Sequence, residues 1–152
     1  MIAFTLALAL AAAQPVPQLA PGEARLTLDG VTTTHVIRDC AIEPEGAMPA
    51  RLLLEDMDVT LNVARADHMQ TFGVIRDNTN WSASRLLIGQ TWMDRGQPGE
   101  PIIVEWGDTI RVEAVLTSGQ AEGEKRASLI ARCSQATGPA RRRGQPEGLS
   151  EL

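Results

Sequence analysis

Residues 107–119 read GDTIRVEAVLTSG, with Ile110, Val112, Ala114 and Leu116 spaced two apart between a Gly-Asp and a Ser-Gly pair. Side chains on a strand point to opposite faces in turn, so this period of two describes a strand with one buried face. Gly, Asp and Ser are the residues that turns select, so the strand is bounded at Thr109 and Ser118. The pattern repeats on both sides. Upstream lies the apolar run Ile102–Trp106, and downstream Ser128–Cys133 alternates again.

Working back toward the N-terminus, Ala24–Leu28 alternates in polarity and is followed by Asp29-Gly30, a dipeptide that favours a two-residue hairpin turn. Val31–Arg38 is rich in β-branched residues, and Glu43-Pro44-Glu45-Gly46 supplies the next turn. Leu52–Leu54, then Met57, Val59, Leu61 and Val63, then Thr71–Arg76 and Leu86–Gly89 give further strands. The best helical stretch, Leu52–Met69, carries Val59, Thr60 and Val63, and its apolar positions fit period two better than 3.6. Short strands at near-regular spacing with turns between them predict an all-β protein, an antiparallel β-sandwich of about eight strands. No repeat at solenoid or propeller period is present.

The chain has 152 residues, enough for one core and too few for two full domains. A formal charge of −5 argues against nucleic acid as a partner, because phosphate affinity needs a basic face. No apolar stretch is long enough to span a bilayer. Residues 2–13 (IAFTLALALAAA) are apolar and end in small residues, the pattern of a secretory signal peptide over 1–13, although no Lys or Arg precedes the run. Residues 14–22 hold three prolines and read as a stiff linker, 23–134 as the folded domain, and 135–152, with Arg141-Arg142-Arg143, as a disordered tail. A short basic tail of that kind can touch anionic lipid.

Cys40 and Cys133 are the two cysteines, far apart and in no CxxC arrangement. In an exported protein they are expected to form one disulfide. In the chain-entropy model a loop of that length contributes about 4–5 kcal/mol.

The succession LTLDG (26–30), the cysteine of HVIRDC, the Gly-Asp turn before RVEAVLTS, and the closing ASLIARCS resembles the mycobacterial lipoprotein antigens of the LpqH type. The resemblance covers residues 24–134, but this chain lacks a cysteine for lipidation after the signal run, and its middle third around Trp81 and Trp92 has no counterpart. It implies a cell-envelope location and a contact role, with no catalytic residues to carry over.

Candidate chemistry is sparse. His35, Met48, His68 and Met69 are ligand types that suit Cu(I), which makes a periplasmic copper carrier one alternative, although methionines in a β core more often fill gaps. Glu55, Asp56 and Asp58 form an acidic run that lacks the spacing and turn glycine of an EF-hand; a charged strand edge is the simpler expectation. A small hydrolase built on this run and His68 is the other alternative. No G-x-S-x-G elbow is present, so catalysis is not expected, nor is a resident metal or cofactor. Three tryptophans stand beside two phenylalanines and no tyrosine. Trp106 ends an apolar strand and belongs to the core, whereas Trp81 and Trp92 sit among polar residues. With Arg95, these two form the candidate surface for an envelope protein, glycan or lipid. The expected function is thus that of an exported, non-catalytic binding domain.

Overall fold

The computed structural model describes residues 18–96 and 102–134. The expected signal peptide over 1–13 and the expected tail over 135–152 lie outside the described residues, as does the expected linker up to residue 17. The described part is all-β. Its strands are β1 (Glu23–Leu28), β2 (Val31–Val36), β3 (Asp39–Ala41), β4 (Ala50–Glu55), β5 (Val59–Ala66), β6 (Met69–Arg76), β7 (Thr79–Ile88), β8 (Thr91–Arg95), β9 (Ile103–Glu105), β10 (Thr109–Thr117) and β11 (Glu124–Arg132).

All strand pairs are antiparallel, and the ladder runs β2-β1-β11-β10-β7-β6-β5-β4-β3, with β8 beside β7 and β9 beside β10. Eleven strands thus share one sheet where the sequence suggested about eight. The facing layers expected of a sandwich are parts of this one curled sheet. The curl is forced by chain connectivity: β2 and β3 stand at opposite ends of the ladder, yet only Ile37 and Arg38 separate them. Ile37 N–H donates to Gly22 at the start of β1 (2.8 Å), and Arg38 N–H donates to Leu53 of β4 (2.9 Å). Successive backbone groups on a strand point to opposite sides, so these two consecutive residues tie β1, next to one edge of the ladder, to β4, next to the other.

The core lies on the concave face. Leu26, Leu52, Leu54, Leu61, Val63, Phe72, Val74, Ile110, Val112, Leu116 and Leu129 are all essentially inaccessible, each at an alternate position of its strand. Ile102 and Ile103 close the interior near β6, where the Gln70 side-chain carbonyl accepts both of their N–H groups (3.1 and 3.2 Å). Without Gln70 those two buried donors would be left unsatisfied.

Cys40 and Cys133 are joined by a disulfide, with Cα atoms 6.0 Å apart. It links β3 to the residue after β11 and reinforces the same seam that Ile37 and Arg38 close. The expected Asp29-Gly30 turn is present, with φ positive at both residues (48° and 81°), the geometry whose twist matches two flanking strands. A second such turn at Asp77-Asn78 (φ 51° and 58°) joins β6 to β7.

Candidate functional site

Exposed apolar side chains such as Val36, Met57, Ile75, Val104 and Ile130 are scattered over the surface, and two regions depart from the rule of apolar inside and polar outside in a grouped way. The first is at the seam. The inner face of β2 carries Val31, Thr33 and His35, opposite Leu28, Leu26 and Ala24 of β1. His35 is 8% exposed and is the buried polar residue among the described ones. Its Nδ1 is hydrogen-bonded to Asp56 Oδ2 in the β4–β5 turn, and its Nε2 lies 2.7 Å from Thr33 Oγ1. Asp56 Oδ1 in turn accepts the N–H groups of Asp58 (2.9 Å) and Val59 (2.8 Å). The hydrogen bond from His35 holds the Asp56 carboxyl below its ordinary value of 3.8; partial burial opposes this, and the two backbone N–H groups add to it. Asp56 is therefore the acceptor at neutral pH, and the bonded proton sits on Nδ1. In the neutral imidazole, Nε2 is then an acceptor for the Thr33 hydroxyl. Nearby, Arg38 pairs with Glu55.

The acidic run Glu55-Asp56-Asp58 is thus anchored by a histidine, and that histidine is His35, 21 residues upstream, not His68. His68 is an exposed residue of the β5–β6 turn whose backbone carbonyl accepts Leu87 N–H (2.8 Å). The four copper-ligand candidates are spread over β2 (His35), the β3–β4 loop (Met48), the β5–β6 turn (His68) and the first residue of β6 (Met69). Among the described residues no three of His, Cys, Asp and Glu are grouped to hold a metal ion.

The second region is the β7–β8 hairpin. Register places Ala66, Met69, Leu86 and Met93 side by side across β5, β6, β7 and β8 on the convex face. Ile88, opposite Thr91, extends that row by one step toward the turn. Leu86 (40%), Ile88 (59%) and Met93 (58%) are exposed. The next row inward, Ala64, Thr71, Ser84 and Arg95, is polar toward β8, and Asp67 and His68 lie in the adjoining turn. The result is an apolar centre free of charge with charged residues at its edge.

The three residues expected to form one binding surface are separated. Trp81 is a core residue, 7% exposed on the concave side of β7, with the Lys125 ammonium 4.9 Å from its ring centroid. Asn80, Ser82 and Ser84 are the outward partners of Trp81 and Ala83 in an ordinary alternating strand, which explains the polar flanks. Trp92 is 37% exposed and lies on the opposite face of β8 from Arg95, since the two are three apart on a strand. The Arg85 guanidinium stacks over the Trp92 ring (5.0 Å to the centroid) and pairs with Asp94 (2.6 Å). Trp92 therefore backs the hairpin, while Leu86, Ile88 and Met93 face outward. Trp106, half-buried, packs against the core and donates from Nε1 to the Ile42 carbonyl (2.9 Å).

No protein-family model matches this chain, and no curated protein or solved structure is similar to it. Among the described residues no helix is long and apolar enough to cross a membrane.

Proposed function

We propose that the chain is an exported, envelope-associated binding domain and that it meets a partner protein through the convex face of the β7–β8 hairpin. One observation carries this reading: Leu86, Ile88 and Met93 are exposed side by side, in continuity with Met69 and Ala66. Single exposed apolar residues are ordinary, but a contiguous row with charge only at its border has the anatomy of a protein–protein contact. A glycan surface would need several hydrogen-bonding groups at its centre, and the side chains of Ala66, Met69, Leu86, Ile88 and Met93 supply none, Thr91 standing at the turn end. Export is supported by the apolar run at residues 2–13 and by a disulfide, which persists in oxidising compartments. The resemblance to LpqH-type envelope antigens supports the same location.

The test places a photo-crosslinking amino acid at position 88 and, as a control, at position 34 on the convex side of β2, in the native host. A discrete protein adduct from position 88 only, absent when Met93 is replaced by Lys, is expected. Equal adduct patterns from both positions would overturn the proposal. Intact mass of the purified protein tests export separately: loss of residues 1–13 is expected, and a full-length chain contradicts it.

A further inference from the structure

The seam holds a hydroxyl, an imidazole and a carboxylate in one hydrogen-bonded line, Thr33 Oγ1 to His35 Nε2 and His35 Nδ1 to Asp56 Oδ2. We propose that Thr33, His35 and Asp56 form a nucleophilic acyl-transfer site that hydrolyses carboxylic esters. It stands at the other end of the strands from the β7–β8 turn and does not depend on the binding proposal.

Each part follows from the geometry. Asp56 accepts from Nδ1–H and so fixes the imidazole as the tautomer whose Nε2 is a base, and Nε2 is 2.7 Å from the hydroxyl it would deprotonate. Burial of His35 keeps water from competing for that nitrogen. A donor for the developing oxyanion is supplied by the strand itself. Ile37 N–H bonds to Gly22, opposite it in register, so the odd-numbered residues of β2 turn their backbone groups toward β1. The even-numbered residues turn theirs the other way, toward the side on which Arg38 N–H reaches β4. Thr34 N–H, next to the nucleophile, therefore faces away from β1, and β2 has β1 as its one ladder partner among the described residues.

The acyl group has a place to go. Two residues before Thr33 on the same face, Val31 is 55% exposed and borders a cleft of ≈ 320 Å³ whose apolar lining is Leu28, Val31 and Trp81 and whose polar rim includes Arg76 and Lys125. A second cleft, lined by Asp56, Met57, Asp58 and Val59, shares Arg76 and Asp77 with the first. One cleft reaches Val31 on the strand that carries Thr33 and the other reaches Asp56, and a short acyl chain would lie on the Leu28–Val31–Trp81 floor.

In the first step Thr33 Oγ1 bonds to the ester carbonyl carbon while His35 Nε2 takes the hydroxyl proton. Collapse breaks the bond to the alkoxide, which leaves with that proton as an alcohol. Water then attacks the acyl-threonine, giving one proton to His35. The carboxylic acid departs, and the proton returns to Thr33. The balance is ester plus water to acid plus alcohol, with no other reactant.

The test uses the full chain with p-nitrophenyl butyrate for turnover and a fluorophosphonate for covalent capture. A single adduct mapped to Thr33 is expected, with turnover abolished in Thr33→Val and retained in Thr33→Ser. Asp56→Asn, which reverses the tautomer preference, is expected to lower kcat by about 10²-fold or more with KM unchanged. Circular dichroism and thermal melting of each variant separate loss of chemistry from loss of fold. Thr33→Val is nearly isosteric and is the variant on which the proposal depends. No adduct on Thr33, or turnover equal to wild type in a folded Thr33→Val, would overturn it.

Discussion

The seam where β2 meets the β4–β5 turn and the β7–β8 hairpin both depart from an apolar inside and a polar outside, and they do so in opposite senses. At the seam, a polar side chain of β2, His35, is brought inside and both of its ring nitrogens are hydrogen-bonded, one of them to Asp56 of the β4–β5 turn. At the hairpin, Leu86, Ile88 and Met93 stay outside with nothing over them among the described residues. A buried imidazole without partners costs free energy, so its bonds hold the seam closed. Exposed apolar side chains cost the folded state little and become favourable when a partner removes them from water. The first departure therefore bears on stability and chemistry, and the second on association. The two tryptophans on the β7–β8 hairpin draw the same contrast within a single element: Trp81 is packed inside, and Trp92 lies under Arg85 at the margin.

The largest effect that distinguishes the regions is expected from those tryptophans. Trp81→Ala leaves a cavity in the core and is expected to cost about 3–5 kcal/mol in urea unfolding. Trp92→Ala is expected to cost about 1 kcal/mol, within the ordinary range for partly exposed positions. Comparable losses would mean that β8 is as much a part of the core as β7.

Asp56→Ala comes next, at about 1–3 kcal/mol, because it leaves His35 Nδ1–H buried without an acceptor. Replacing His35 as well, in His35→Leu/Asp56→Ala, is expected to recover part of that loss, and a full additive loss would show that the pair is not coupled. The same pair gives a pH dependence with a definite sign. The folded-state pKa of Asp56 is depressed below 3.8, so its contribution is complete above that value and is lost as the pH falls through it to the lower folded-state value. Asp29, depressed mainly by its hydrogen bond from Lys125, acts in the same direction. The slope of melting temperature against pH below 3.8 is expected to diminish in Asp56→Asn and again when Asp29→Asn is added. An unaltered slope would place the acid sensitivity elsewhere.

Parts of this arrangement were legible in the residues. Thr109–Thr117 announces itself because its apolar positions recur every second residue between two turn pairs. Asp29-Gly30 and the Cys40–Cys133 bridge are local or pairwise signals and were found where they were expected. Asp77-Asn78 is a hairpin turn without glycine, which hides the start of β7 and leaves Trp81 among polar neighbours in the sequence. Taking Asp-Asn as two positive-φ residues would have put Trp81 and Ala83 on one face. β8, TWMDR, has no apolar alternation because both of its faces are exposed, so its residues carry no strand signal. The partnership of Asp56 with His35 depends on which strands the curl brings together, which is set by the whole sheet. A histidine and an acidic run were both visible, but nothing local says which histidine meets which carboxylate.

The smallest expected effect on stability belongs to the residues given the largest role in association. Ile88→Ser/Met93→Ser is expected to change unfolding free energy by no more than about 0.5 kcal/mol, since both side chains are already in water. The most direct measurement sets this double variant beside the wild type in the native host, each carrying a photo-crosslinker at position 86, and records the melting temperature and the adduct yield together. An unchanged melting temperature with the adduct lost is the result expected if the convex face of β7–β8 is the contact surface. A full adduct yield from the folded double variant would contradict it.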